Sequence, residues 1–226
     1  MATQIDHSTQ EPRSSTRRSL TATRPLMGWR TVDILTIAFL GAALGVAFWG
    51  WGVFYNGPVT ALKIGYAPLM GLFVGPWFLA GVIGGLVVRR PGAALFCEVV
   101  AALVSMLPGT EWGATVLISG VLQGLGAELV FAVFGYKAFG LAVAALAGAM
   151  SAPLQWGFAV MSLPAGGGGW YAEWLIRDKL VYLGAMMLSG AVLAGVVGWL
   201  LVRALARAGA LSAFPPGQEH RESHAV

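Results

Sequence analysis

Two long apolar runs joined by a short polar turn constrain the fold of this chain more than any other feature. The runs occupy the stretch Pro91–Tyr136, and the turn between them reads PGTEWG. As a helix, each run is long enough to cross most of a hydrocarbon layer about 30 Å thick. Runs of similar character recur along the chain, in which 57% of the residues are hydrophobic and only 11% are charged. Because a soluble domain needs roughly 25% charged residues, this composition predicts an integral membrane protein.

Apolar runs of helical length predict an all-α fold, an integral membrane bundle of six transmembrane helices. Asn56-Gly57-Pro58 has the composition of a turn and predicts the end of the first helix. Pro76 predicts a kink in the second helix, because proline removes a backbone donor and crowds the preceding turn. The six predicted spans are Val32–Tyr55, Pro68–Val88, the two halves of Pro91–Tyr136, Ala138–Val160, and a last segment from Trp170 to about Arg203.

Polar tails flank these spans and fix the expected orientation. Residues 1–28 and 207–226 predict disordered cytoplasmic tails on either side of a membrane domain of residues 29–206. Lysine and arginine concentrate on the cytoplasmic side of membrane proteins, so both termini are expected in the cytoplasm of a multi-pass plasma membrane protein. This topology accounts for the basic pI of about 9.6. We therefore expect membrane lipid, and not nucleic acid, as a partner. Eleven basic residues fall on the side of the termini (Arg13, Arg17, Arg18, Arg24, Arg30, Arg89, Arg90, Lys137, Arg203, Arg207, Arg221) and three on the other (Lys63, Arg177, Lys179).

Each of the two central runs carries one carboxylate far from its ends. Glu98 lies about seven residues after Pro91, and Glu128 about seven before Gly135, so antiparallel helices would hold both at a similar depth. A charge in the hydrocarbon costs at least about 2.5–3.5 kcal/mol and therefore faces a partner, a cavity or a ligand. One interpretation is a neutral acid hydrogen-bonded to a neighbouring helix. The other is an anionic pocket for a cationic or amine-bearing ligand, with Gln123 adding a donor and an acceptor.

Aromatic residues near the ends of the predicted helices are candidates to complete this pocket. They form either an interfacial aromatic belt or a stacking wall for an aromatic or cationic ligand. The candidates are Trp51, Tyr55 and Asn56 near the end of the first helix, Trp112 in the PGTEWG turn, and Trp156 in the fifth helix.

Small residues recur at a spacing of four along the first predicted helix. Ala38 and Ala42, like Gly41 and Gly45, form such pairs, which place a groove on the helix that suits close approach by another helix. The pattern alone leaves open whether that helix belongs to the same bundle or to a partner protein.

The sequence contains none of the motifs expected of an enzyme or an ATPase. It has no GxxxxGK[ST] phosphate-binding loop, no HExxH and no Gly-x-Ser-x-Gly, and its histidines all lie in the polar tails. We therefore predict no catalytic residues, no metal site and no cofactor. The chain is not expected to be an enzyme, and any energy for transport from ATP hydrolysis has to come from another subunit.

Three segments of the chain resemble the YkoE family of substrate-binding S components of energy-coupling factor (ECF) vitamin transporters. They read WRTVDILTIAFLGAALGVAFWGW, GLVVRRPGAALFCEVVAALVSML and SGVLQGLGAELVFAVFGY, and the resemblance extends from about Trp29 to Arg203. It implies six membrane helices, a loop after the first helix that covers the site, and binding of thiamine or its hydroxymethylpyrimidine precursor. It also implies partners, namely a transmembrane coupling protein and two cytoplasmic ATPase subunits. Ala38 and Ala42, with Gly41 and Gly45 nearby, would dock onto the coupling protein.

Two function classes remain in competition with this interpretation. A stand-alone secondary transporter could drive a small cationic solute with protons through Glu98 and Glu128, although no inverted repeat is visible in the sequence. A membrane enzyme or a purely structural subunit is less favoured, because no nucleophile or metal constellation is present.

Overall fold

The computed structural model describes residues 27–161 and 168–224, and every regular element in these ranges is helical. Two 3₁₀ helices, Ala67–Phe73 and Gly75–Phe78, precede the α-helix Leu79–Val88, and a π-helical segment, Gly190–Val196, joins the α-helices Ile176–Ser189 and Val197–Arg207. The predicted tail 1–28 lies almost entirely outside the described residues. The α-helices are α1 Thr31–Ile64, α2 Leu79–Val88, α3 Ala93–Met106, α4 Thr115–Val133, α5 Leu141–Val160, α6 Ile176–Ser189, α7 Val197–Arg207 and α8 Pro215–His224.

Several of these helices are apolar and long enough to cross a membrane. In the described part of the chain four qualify outright, and a bent pair, Ala67–Phe73 with Gly75–Val88, would make a fifth. Helix α3 is apolar but has 14 residues, about 21 Å of helix, less than the hydrocarbon thickness. The all-helical, multi-pass prediction is confirmed. The predicted number of six spans would require the short helix α3 to cross the membrane as well. The four spans are Thr31–Leu62, Thr115–Val133, Leu141–Val160 and Ile176–Arg207.

Helix α1 is longer than the sequence predicts. Instead of ending at Asn56-Gly57-Pro58, it continues through the proline to Ile64. Tyr55 and Val59 are buried against Met70 in a small apolar cluster, and this packing offsets the roughly 3 kcal/mol cost of an internal proline. The expected loop after the first helix is therefore shorter than predicted.

The kink expected near Pro76 is present as a break between the two 3₁₀ helices. The axis bends by 42°, and the Ser189 hydroxyl of α6 bridges the break. It donates to the Leu72 carbonyl at 2.6 Å and accepts from the Gly75 N–H at 2.9 Å. Backbone groups freed by a broken helix need such partners in an apolar interior.

Two glycines of α1, Gly41 and Gly45, pack within the bundle. A Cβ on Gly41 would lie 2.8 Å from the Val100 side chain, and one on Gly45 would lie 2.6 Å from the Ala101 carbonyl oxygen, both on α3. These two glycines therefore let α1 and α3 approach closely. They face α3 and not a surface for a partner protein, which differs from their predicted docking role. Ala38 and Ala42 are half-buried beside them.

The C-terminal segment, for which the sequence predicts a disordered tail, forms helix α8 and packs against the bundle up to residue 224. Leu211 and Phe214 are buried, and α8 then begins at Pro215, a residue type whose missing N–H is no loss at a helix start. The Glu219 carboxylate of α8 forms an ion pair with Arg89 at the end of α2. The two apolar anchors and the ion pair hold an otherwise polar segment against the bundle.

Candidate functional site

A cavity of about 100 Å³ lies between the helices of the bundle. We call it the central cavity. Its walls come from α1, the 3₁₀ turns, α3, α4, α5, α6 and the segment that precedes α6. Its aromatic lining consists of Phe48, Tyr55, Trp77, Trp112, Trp170, Tyr171 and Tyr182, and its polar lining of Glu98, Ser105, Ser119, Gln123 and Gln155.

One aromatic cluster of the central cavity joins three separate elements. Trp77 packs edge-on against Tyr55 of α1, with ring centroids 5.0 Å apart, and against Trp112 of the polar turn, at 5.5 Å. Edge-to-face contacts of this kind hold aromatic rings in fixed orientations. The turn that carries Trp112 is thus attached to α1 and to the broken helix.

A second aromatic cluster closes the cavity from α6. Tyr171 stacks on Trp174 with centroids 4.3 Å apart, and both rings contact the edge of Tyr182. Tyr171 and Tyr182 line the cavity. The segment before α6 therefore contributes residues to the site, in addition to connecting α5 with α6.

Glu98 is the only acidic side chain among the described residues that line the central cavity, and no lysine or arginine lines it there. Its exposed fraction is 1%, and Oε2 accepts a hydrogen bond of 2.5 Å from the Gly81 N–H of α2. Oε1 is buried and has no hydrogen-bond partner among the residues the structure describes. A buried unsatisfied polar group costs about 1–3 kcal/mol, and more when charged.

Gln155 has the same unusual property. Its Oε1 is the other buried side-chain atom in the described ranges that lacks a partner, and the residue also lines the central cavity. Gln123, which is buried there too, can both donate and accept. The cavity therefore presents two unpaired acceptor oxygens, which complement a ligand that donates hydrogen bonds.

Glu128 does not join Glu98, contrary to the sequence prediction. It accepts hydrogen bonds from the N–H groups of Gly92, Ala94 and Leu95 and from the Tyr136 hydroxyl, at 2.6–3.2 Å. The first N–H groups of a helix have no partner within it, and a carboxylate there also opposes the helix dipole favourably. Glu128 thus caps the start of α3, and the expected pair of carboxylates at one depth is not formed.

Three further predicted binding residues lie away from the central cavity. The Trp51 indole donates to the Phe73 carbonyl at 2.9 Å, and the Trp156 indole donates to the Lys179 carbonyl at 2.7 Å. Trp51 therefore links α1 to the first 3₁₀ helix, and Trp156 links α5 to α6. Asn56 is exposed and lines an adjacent cleft of about 160 Å³, which also contains Glu111.

Four of the predicted binding residues do line the central cavity: Tyr55, Glu98, Trp112 and Gln123. Gln155 and five aromatic residues also line it and were missed; the aromatic residues are Phe48, Trp77, Trp170, Tyr171 and Tyr182. Gln155 was detectable as a polar side chain within an apolar run. Nothing in the sequence separated the five aromatic residues from ordinary membrane-interface residues.

Comparisons with known proteins agree with this architecture. A family model described as the permease component of an ABC-type cobalt transport system matches residues 32–154. The protein described as the HMP/thiamine permease YkoE of Bacillus subtilis (strain 168) is 32% identical over 200 residues, which cover 86% of this chain and 93% of that protein. A crystal structure of an S-component of an ECF transporter matches with a TM-score of 0.79 and 30% identity, over 88% of this chain and 96% of that chain.

These matches cover most of the chain. The proteins matched are transporter components and not enzymes, and the apolar helices place the chain in the plasma membrane as a multi-pass protein. The chain belongs to the YkoE family of ECF transporter S components.

Proposed function

We propose that this protein captures thiamine or its hydroxymethylpyrimidine precursor in the central cavity for uptake into the cell. The observation that carries the proposal is the pair of unpaired buried oxygens, Glu98 Oε1 and Gln155 Oε1, in one aromatic-lined cavity. The similarity to the B. subtilis HMP/thiamine permease supports the choice of ligand.

The aminopyrimidine ring complements these groups. Its exocyclic amine has two N–H donors for the two acceptor oxygens, and hydrogen bonds to an ionised acceptor are roughly twice as strong as neutral ones. Gln123 can serve the ring nitrogens as donor or acceptor. Tyr and Trp faces, supplied by Tyr55, Trp112 and Tyr171 among others, would cover the ring by stacking.

The thiazolium ring of thiamine would extend into the adjacent cleft. That cleft shares Phe48, Trp77 and Trp112 with the central cavity, so a two-ring ligand could span both spaces. Glu111 lines the cleft and would face the thiazolium cation, while Trp112 would offer a cation–π contact. Under this arrangement the pyrimidine binds Glu98 and the cationic ring lies near Glu111.

We further propose that the protein delivers its ligand through a complex with a transmembrane coupling protein and two cytoplasmic ATPase subunits. Ala38 and Ala42 of α1 are the proposed docking positions. They are half-buried in the isolated chain, and the neighbouring Phe39 and Val46 are exposed. A bulky residue at Ala42 should block transport and leave ligand binding unchanged.

The alternative, a stand-alone proton-coupled transporter of a small cationic solute, has less support. It relied on Glu98 and Glu128 acting together, but Glu128 is engaged with the start of α3. Uptake by liposomes that contain this chain alone, dependent on a pH gradient, would revive it.

The decisive experiment is calorimetric titration of the purified protein in mild detergent with thiamine and with hydroxymethylpyrimidine. The wild type should bind at least one of them. Glu98→Gln should weaken binding about 10- to 100-fold, the equivalent of roughly 1.5–3 kcal/mol for a hydrogen bond to a charged group. Glu173→Gln, at an exposed glutamate that lines neither space, is the matched control. Absence of binding by the wild type would overturn the ligand assignment.

A second variant separates the two ligands. Glu111→Gln should weaken thiamine binding by up to about fivefold, because it removes a charge near the thiazolium at an exposed position, and should leave hydroxymethylpyrimidine affinity unchanged. Equal weakening of both ligands would mean that the pyrimidine, and not the thiazolium, lies next to Glu111.

A further inference from the structure

A second and larger cleft lies at the end of the bundle where α2, α4 and α7 finish. Its volume is about 820 Å³, and α8 forms one of its walls. Four cationic side chains line it: Arg89, Lys137, Arg203 and Arg207. We call it the basic cleft. It shares no lining residue with the central cavity, so it is a separate feature.

Within the described part of the chain, few carboxylates neutralise the charge of the basic cleft. Glu219 is the one carboxylate among its lining residues, and it is engaged by Arg89 in a two-pronged contact that includes Arg89 Nη2 to Glu219 Oε2 at 2.8 Å. Neither Lys137 nor Arg207 has a carboxylate partner among residues 27–161 and 168–224. The cleft therefore retains an excess of positive charge.

The helix geometry directs these cations to one concave surface. On α7, Trp199, Arg203 and Arg207 are spaced by four residues and share a face. The Arg203 guanidinium lies 4.4 Å from the centroid of Trp199, and that of Arg89 lies 4.6 Å from the centroid of Phe139. Aromatic contacts of this kind orient a guanidinium, whose planar donors match phosphate oxygens.

Arg89 also occupies an unusual backbone position. It ends α2 in the left-handed region, with φ of +57°, where glycine is the favoured residue. Arginine there costs about 1–2 kcal/mol of backbone strain, and its side chain lines the cleft. An arginine at such a strained position is consistent with a functional requirement for the Arg89 side chain in the cleft.

Exposed apolar residues lie next to the cleft arginines on α7. Leu200 and Leu201 are exposed and stand two to three residues before Arg203, as expected of a helix end that meets lipid. The positive-inside rule explains why cations occur at this end of the helices, but not why four of them converge on one cleft. We propose that the basic cleft binds a phosphate-bearing anion, either the headgroup of an anionic phospholipid or a soluble phosphate compound.

Native mass spectrometry of the full chain in detergent tests the proposal. The protein is titrated separately with phosphatidylglycerol and with phosphatidylcholine of the same acyl chains, and in a second arm with inorganic pyrophosphate. We expect selective retention of phosphatidylglycerol if the source is lipid, or binding of pyrophosphate if it is soluble. Basic pockets between membrane helices favour anionic headgroups in this way.

Substitutions assign the binding to the cleft. Lys137→Gln with Arg207→Gln should weaken the retained anion roughly tenfold, because two positive charges are lost, and each single substitution should have part of this effect. Arg177→Gln, at an exposed arginine outside the cleft, is the control and should change nothing. Thermal unfolding without ligand checks that the variants fold. Equal retention of both lipids without pyrophosphate binding overturns the proposal, as does wild-type anion affinity in the folded double variant.

Discussion

Glu98 and Glu128 are the same residue type, on neighbouring helices, at matching distances from the ends of two similar apolar runs, yet their surroundings differ. Glu128 accepts hydrogen bonds from three backbone N–H groups and one hydroxyl. Glu98 accepts one, from Gly81, and its other oxygen has no partner among the residues that the structure describes. A carboxylate fully supplied with partners stabilises the fold. One left with a free oxygen, at a cost to stability, is the better candidate for binding a ligand.

The two carboxylates are accommodated in the membrane protein in different ways. At Glu128 the protein supplies helix N–H groups, which no other residue of α3 can satisfy. At Glu98 the described residues supply one backbone N–H, to Oε2, and no hydrogen bond to Oε1. The difference predicts that substitutions around Glu128 act on stability, whereas those around Glu98 act on ligand affinity.

The largest expected effect is that of Glu128→Ala. The substitution leaves three backbone donors at the start of α3 without a partner, so the free energy of unfolding should fall by about 2–4 kcal/mol. Thermal or denaturant unfolding in detergent measures this. Ligand affinity of the folded protein should change less than threefold, and Glu173→Ala, at an exposed site, should be neutral. A stable Glu128→Ala variant that has lost its ligand would reverse the assignment of the two carboxylates.

A smaller effect is expected for Tyr136→Phe. The substitution removes the hydroxyl that donates to Glu128 Oε1 at 2.6 Å and keeps the ring, so unfolding should become easier by about 1 kcal/mol. Tyr66→Phe is the matched control, since the Tyr66 hydroxyl donates to Asp178 at an exposed site, where the loss should be near zero. If the two variants were equally stable, the capping network at α3 would contribute less than its geometry indicates.

The sequence predicted the helical membrane architecture because apolar runs of this length have few other solutions. It predicted four of the cavity residues because Glu98 and Gln123 are polar within apolar helices, and because Tyr55 and Trp112 are aromatic residues near the ends of predicted helices. It could not separate Glu98 from Glu128, since that difference depends on which helix start lies opposite each carboxylate. The extension of α1 past Pro58 was likewise hidden, because it rests on packing of Val59 against distant Met70.

Gly81→Ala is the finest test of the comparison, because it moves the Glu98 carboxylate without removing it. A Cβ at this position would lie 3.2 Å from Glu98 Oε2, so the carboxylate must shift by a few tenths of an ångström. We expect about a threefold loss of affinity in the same calorimetric titration, since a charge-assisted hydrogen bond depends on geometry. Gly50→Ala is the control, because a Cβ on this helical glycine meets nothing within 4 Å. Unchanged affinity in Gly81→Ala would mean that the ligand does not depend on where Glu98 is held, and the free oxygen of Glu98 would then have to be explained by folding alone.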